Sequence, residues 1–444
     1  MSGILTLRWT RTNRLWRRHP PDRILAAGNG CQRGQREYHR AAAATVREFR
    51  GNVEMMASKK YASACVAWCV GICLVISSSL WVGTASASEA LQIRTPKVTA
   101  AAIYAIDTTA GVELLAHHAD DRRSPASTTK VATAIVVVDN VPDLDQPVTI
   151  VDADLARLAS DESRMGLQVG DILTVRQLLD GVLVQSGADA TYAAARVTGT
   201  LLLSAKAQEG DPIGAFVEAM NGLVAELGLQ NTHFTNPVGI DDEDQYSSAR
   251  DLAYLAQEAF NRPVLADIVG QRSVPTIIDG PNRREVTLEN TNDLLDGGAI
   301  HGVKTGSTST AGACLILGKW EHGTNRVVTV VLGSDLSYDD EGFIAEDKRW
   351  DDTNAVLRAI EREVRWVAPD DPDEVPGLRD ELAAWQVALK SKTAIVVPTE
   401  GVSKLRYLLQ LGPAGGPNTQ VGHVLFFVGS EKIAEMPVFQ SPVS

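Results

Sequence analysis

Ser127 and Lys130, in the run Ser127-Thr128-Thr129-Lys130, are the residues whose types and spacing most directly suggest chemistry. A serine hydroxyl is a weak nucleophile until a base removes its proton. A lysine three residues later can be that base if the stretch is helical, because positions i and i+3 share a face. The flanks suit a helix start. Ser124-Pro125-Ala126 leads in, and Lys130 to Val138 follows as a run that is apolar nearly all round. A buried helix of that kind would strip water from the ammonium and lower its pKa towards that of a working base. Ser127 would then lie in the first turn, where unpaired backbone N–H groups can hold an oxyanion. Alone, Ser-x-x-Lys is short enough to arise at any surface helix start, with a solvated lysine.

Two further stretches can complete such a site. Thr174 caps a periodic segment running to Val184, and Gln185-Ser186-Gly187-Ala188-Asp189-Ala190 turns the chain into a helix expected over 190–198. A Ser-Gly turn between helices puts the Ser186 hydroxyl at a corner. Gly302-Val303-Lys304-Thr305-Gly306 precedes two β-branched, alternating segments, Ala311 to Lys319 and Arg326 to Gly333. These are expected as antiparallel strands joined at Gly323-Thr324-Asn325. On an edge strand, Lys-Thr-Gly offers an ammonium, a hydroxyl and close backbone approach at the glycine.

The elements that must position these residues are readable around them. Val98 to Ile106 and Val112 to Ala116 form a hairpin pattern that leads into the serine helix. His117 and His118 follow it and read as loop histidines, since no partner has metal-site spacing. Helices are expected over 216–227, from a Ser247 cap to Ala259, and over 348–364, with a strand at 285–289. The acidic, proline-bearing stretch after Trp366 reads as a linker to short strands at 393–397, 405–411, 422–428 and 431–438. The expected divisions are a catalytic domain over 89–365, a linker over 366–380 and a small β-rich domain over 381–444.

Residues 1–54 differ from the rest, with a charge of roughly +7 and no sustained apolar period. Lys59-Lys60, an apolar run from Tyr61 to Val82, and Ala85-Ser86-Ala87 then make the three parts of a secretory signal. The simplest reading starts translation at Met55 or Met56 and makes 1–54 a start-site artefact, with 55–88 a signal peptide cleaved near Ser88. The alternative is a basic cytoplasmic tail on an uncleaved membrane anchor. The chain ends soon after its last strand, so membrane attachment would need that N-terminal segment. The net charge of −13 leaves about −22 for residues 89–444, which argues against nucleic-acid binding. Four of the five cysteines precede residue 85, so an exported body would hold no internal disulfide.

In the order Ser127-x-x-Lys130, Ser186-x-x and Lys304-Thr305-Gly306, the three motifs together resemble the penicillin-recognising serine enzymes. With Asn236-Pro237-Val238-Gly239 and Asn290-Thr291-Asn292 between them, the chain is similar to the low-molecular-weight penicillin-binding proteins over about residues 95–365. These are the serine-type D-Ala-D-Ala carboxypeptidases. The resemblance implies an α/β (α+β) transpeptidase-type domain, an antiparallel sheet with a helical subdomain, followed by a small all-β domain. It implies that Ser127 attacks the penultimate D-alanine carbonyl with Lys130 as base, and that Ser186 relays a proton to the leaving D-alanine. Lys304 and Thr305, beside Gly306, would hold the terminal carboxylate, and the N–H groups of Ser127 and Ser307 would form the oxyanion hole. The implied partners are peptidoglycan stem peptides outside the cytoplasmic membrane, with β-lactams as covalent inhibitors and no metal or organic cofactor.

Two positions depart from that pattern. Ala188 stands where the family has the asparagine that orients the lysine and bonds the acyl amide, and Val238 stands where histidine is common. Two alternatives therefore accompany the carboxypeptidase reading: a catalytically weakened penicillin-binding wall protein, favoured by Ala188, and a DD-endopeptidase. A β-lactamase is disfavoured because no acidic deacylation loop stands out.

Overall fold

The hairpin at the start of the body, β1 (Ala102–Asp107) and β2 (Val112–His117), is one edge of a five-stranded antiparallel sheet. The computed structural model describes residues 91–442 apart from 92, 296, 322, 342 and 343; the basic tail and the signal or anchor segment lie outside the described residues. The other three strands are β3 (Ile300–Thr308), β4 (Gly312–Trp320) and β5 (Arg326–Ser334), and the order is β2-β1-β5-β4-β3. Strand β3, which carries Lys304, is thus the far edge.

Period-two alternation sorts the strands into two faces. Tyr104, Ile316, Val328 and Val330 pack with the helices that follow Ser127, whereas Ile103, Leu315, Leu317 and Val331 pack on the opposite side. That opposite side is covered by Val356 and Ile360 of the helix Arg349–Glu363, one residue inside its expected bounds at each end.

The helical side is built around α1 (Lys130–Asn140), which a short 3-10 turn, Ala126–Thr129, precedes. Residues 130–137 are all buried, as an all-round apolar helix requires. Helix α2 (Val175–Leu183) starts on the Thr174 cap, whose Oγ1 accepts from Gln177 N at 3.1 Å. Helix α3 (Ala188–Ala205) begins two residues earlier and ends seven later than its local pattern suggests. Helix α4 (Pro212–Glu226) starts on the Asp211 cap, and α5 (Ala249–Phe260) is capped by Ser248 rather than Ser247. Ser247 is instead committed to the bridge with Arg123. His117 is the last residue of β2 rather than part of the following loop. A seven-residue helix, Pro263–Val269, and the strand Ser273–Ile278 have no counterpart in the sequence reading.

The C-terminal strands form a four-stranded antiparallel sheet with Leu405–Leu411, Gln420–Val428 and Glu431–Gln440 as neighbours. The stretch read as a linker is not a free connection. Val367 pairs with Ile395, and Val367, Val375, Leu378 and Leu382 belong to the buried core of this module. Isolated apolar residues among acids and prolines give no periodic signal, so the pattern hid them. No helix among the described residues is long and apolar enough to cross a membrane.

Candidate active site

The turn before α1 places Ser127 and Lys130 as the i, i+3 spacing requires. Lys130 Nζ donates to Ser127 Oγ at 2.7 Å and to Val238 O at 2.9 Å. Burial lowers the Lys130 pKa to about 8, against upward pulls from Glu162 and Asp189. A substantial neutral fraction near physiological pH is what a general base needs.

The carbonyl that receives Lys130 is held by its own loop. Asn236 Oδ1 accepts from Gly239 N (2.8 Å) and Ile240 N (3.1 Å), and Thr133 Oγ1 on α1 donates to Pro237 O (2.6 Å). Gly239, at φ 95°, lies so close to the Ala126 carbonyl that any Cβ there would overlap it. Ala126 itself has φ 46°, immediately before Ser127. A non-glycine residue in that region stores strain of about 1–2 kcal/mol, which the surrounding packing must hold.

The edge strand closes against the same turn. A Cβ on Gly306 would lie 2.9 Å from Ser127 N and 3.0 Å from Thr128 N, so glycine lets the strand approach the backbone N–H groups of the turn. Asp241 accepts from Thr308 Oγ1 at 2.9 Å and also from Ser124 Oγ, tying the end of β3 to the lead-in of the nucleophile. A register shift between Gly302 and Lys304 marks a β-bulge just before the lysine.

Lys304 is 1% exposed and donates to Thr305 O at 3.0 Å. Its pKa is pushed well down by burial, then by the charges of Lys130 and Arg349. Two lysines and an arginine in one neighbourhood favour an arriving anion, whose charge would restore the Lys304 ammonium. Thr305 Oγ1 hydrogen-bonds Thr291 Oγ1 at 2.6 Å. Arg349 is a residue the sequence reading missed. Its guanidinium donates to Gly306 O (3.0 Å), Cys314 O (3.2 Å) and Ser307 Oγ (2.6 Å), and pairs with Asp347. It lies far along the chain from Lys-Thr-Gly, so only the sheet-covering helix brings it there.

Ser186 sits at the buried corner between α2 and α3 with φ 61°, a second strained non-glycine residue. No hydrogen bond joins it to Ser127 or Lys130 among the described residues. Beyond it, Ala188 is fully buried against Tyr192 and Val238, so the two departures from the family pattern pack on each other. Asp189 is spent on backbone: it accepts from Met165 N (2.8 Å), Gly166 N (2.8 Å), Leu167 N (2.9 Å) and Ala190 N (2.9 Å). That carboxylate clamps loop 159–167 onto the corner.

A family model described as D-alanyl-D-alanine carboxypeptidase (Peptidase S11) matches residues 89–336. The chain is 36% identical over 262 residues to a D-alanyl-D-alanine carboxypeptidase of Streptomyces sp. strain K15, covering 57% of this chain and 88% of that protein. It is 34% identical over 247 residues to D-alanyl-D-alanine carboxypeptidase DacA of Haemophilus influenzae, covering 54% of this chain and 58% of the relative. Among solved structures, the Streptomyces K15 DD-transpeptidase superposes with TM-score 0.53 at 32% identity, over 60% of this chain and 98% of that one. Penicillin binding protein 6B from Escherichia coli superposes with TM-score 0.58 at 26% identity, over 78% of this chain and 96% of that one.

Proposed function

We propose how the site works in a chain that belongs to the D-alanyl-D-alanine carboxypeptidase family, serine peptidases of the penicillin-binding type. Neutral Lys130 takes the proton of Ser127 as its Oγ attacks the carbonyl of the penultimate D-alanine. The Ser127 and Ser307 N–H groups hold the oxyanion. Ser186 passes a proton to the leaving D-alanine, and water then releases the acyl-enzyme. Lys304, with Thr305, receives the terminal carboxylate, and Arg349 fixes the Gly306–Ser307 backbone from behind. The substrate is a peptidoglycan stem peptide ending in D-Ala-D-Ala, met outside the cytoplasmic membrane after export by the segment at 55–88. β-Lactams acylate Ser127 as mimics of that substrate.

The observation that carries this reading is the 2.7 Å hydrogen bond between Lys130 Nζ and Ser127 Oγ, made by a lysine whose pKa burial has brought to about 8. The test is mass spectrometry of a diacetyl-Lys-D-Ala-D-Ala peptide after incubation, beside penicillin labelling. Loss of one D-alanine together with labelling is expected. Labelling without turnover would favour the second reading, a wall-binding protein weakened at Ala188. Neither labelling nor turnover would overturn the assignment of the site.

A further inference from the structure

The segment that follows the strand Arg284–Glu289 is bonded to both sides of the site. Towards the Ser186 corner, Glu289 N donates to Gln185 Oε1 at 3.1 Å and Thr291 N donates to Val184 O at 3.2 Å. Towards the edge strand β3, Thr291 Oγ1 hydrogen-bonds Thr305 Oγ1 at 2.6 Å. The flanking asparagines hold the segment in place. Asn290 N donates to Arg272 O at 2.8 Å and Asn290 Nδ2 to Gln271 O at 2.9 Å. Asn290 Oδ1 accepts from Asn292 N at 2.9 Å, and Asn292 Oδ1 accepts from Leu294 N at 3.0 Å. Both asparagines are thus engaged with backbone, and the threonine hydroxyl between them is the group that reaches the site.

Two hydroxyls in contact carry two protons, and one of these lies between the oxygens. Among the described residues neither hydroxyl has a further hydrogen-bond partner. The second proton is therefore offered outward by whichever threonine accepts the first. If Thr291 donates, the Thr305 proton faces outward and can meet a carboxylate. If Thr305 donates, its lone pair faces outward and repels one. Thr305 is buried beside Lys304, so little water competes for that proton. An arriving anion selects the first arrangement, a chain from Thr291 to Thr305 to carboxylate in which each bond polarises the next.

We propose that Thr291 is a positioning residue for the terminal carboxylate of the substrate: its hydroxyl donates to Thr305 Oγ1 and so turns the Thr305 proton towards that carboxylate. The proposal rests on the reading of Thr305 as a carboxylate contact. The Thr291 backbone N–H, bonded to Val184 O, ties this contact to the corner that carries Ser186.

The test compares kcat and KM for two substrates in the full chain and in Thr291→Val, Thr291→Ser, Thr305→Val and the double valine variant, with melting temperatures. One substrate is the diacetyl-Lys-D-Ala-D-Ala peptide. The other is an activated phenyl ester of the same acyl group, whose leaving group has no carboxylate. Thr291→Val keeps the shape and removes the hydroxyl. It should lower kcat/KM for the peptide by roughly 5- to 10-fold, the weight of one hydrogen bond, and change that for the ester less than about twofold. Thr291→Ser keeps the hydroxyl and should restore the peptide rate. Adding Thr291→Val to Thr305→Val should cost the peptide nothing further, because the bond is already absent. Equal losses on both substrates in Thr291→Val, no loss on the peptide, no restoration in Thr291→Ser, or additive losses in the double variant overturn the proposal. Equal losses on both substrates in Thr305→Val overturn the reading of Thr305 instead, and a wild-type protein that leaves the peptide uncut overturns the carboxypeptidase reading.

Discussion

On the Ser127 side of the site, positions are set by directional bonds. Lys130 reaches Ser127 and Val238, Asn236 and Thr133 shape the loop that presents Val238 O, and Asp241 joins Ser124 to Thr308. On the Ser186 side, positions are set by volume and by one carboxylate. Ala188, Tyr192 and Val238 fill space, and Asp189 holds the neighbouring loop by backbone N–H groups. The difference separates what chemistry demands from what folding tolerates. Proton transfer needs a donor–acceptor distance held to a few tenths of an ångström, which only directional bonds supply. A corner need only be filled, and Ala188 is buried there in one apolar cluster with Tyr192 and Val238.

The comparison breaks most visibly at Lys130. Lys130→Met keeps a long side chain and removes the base, and acylation by penicillin should fall by roughly 10²–10⁴-fold with little change in fold. In the wild-type protein the acylation rate should climb as pH rises through about 8, because only the deprotonated amine accepts the proton. A rate that stays flat across that interval would mean Lys130 is not the titrating base.

Lys304 sharpens the same side. Lys304→Ala should slow cleavage of a peptide with a free terminal carboxylate by about 10- to 100-fold, the weight of a hydrogen bond to a charged group. The same peptide amidated at its end should be affected much less. Equal losses on both peptides would make the lysine structural.

At the corner, Asp189→Asn keeps the shape but leaves one acceptor oxygen for the donors of the loop. It should cost about 2–3 kcal/mol of stability, seen as a lower melting temperature, and loosen loop 159–167 towards proteolysis. An unchanged melting temperature would mean the clamp carries no weight. The smallest effect is expected at Ala188 itself. Because Ala188 is fully buried in a cluster with Tyr192 and Val238, Ala188→Asn should overpack and cost about 1 kcal/mol, without raising the acylation rate. A faster, equally stable variant would show that the corner kept room for the amide.

How much of this was legible in the sequence depends on the range of each interaction. Ser127 and Lys130 are one helical turn apart, so spacing alone brings them together. Leu405–Leu411 was readable to the residue because it is an uninterrupted strand between turn signals. Arg349 was not readable, because its contacts with Gly306 and Cys314 exist only once a helix is laid across a sheet. The left-handed backbone at Ala126 and Ser186 was hidden because both residue types normally avoid it.

The most direct test of the central claim, that Ser127 is the nucleophile activated by Lys130, is peptide mapping by mass spectrometry after reaction with a labelled penicillin. The account predicts a single covalent adduct on Ser127 that is absent from Ser127→Ala. An adduct that persists in Ser127→Ala, or that maps to Ser186, would contradict it.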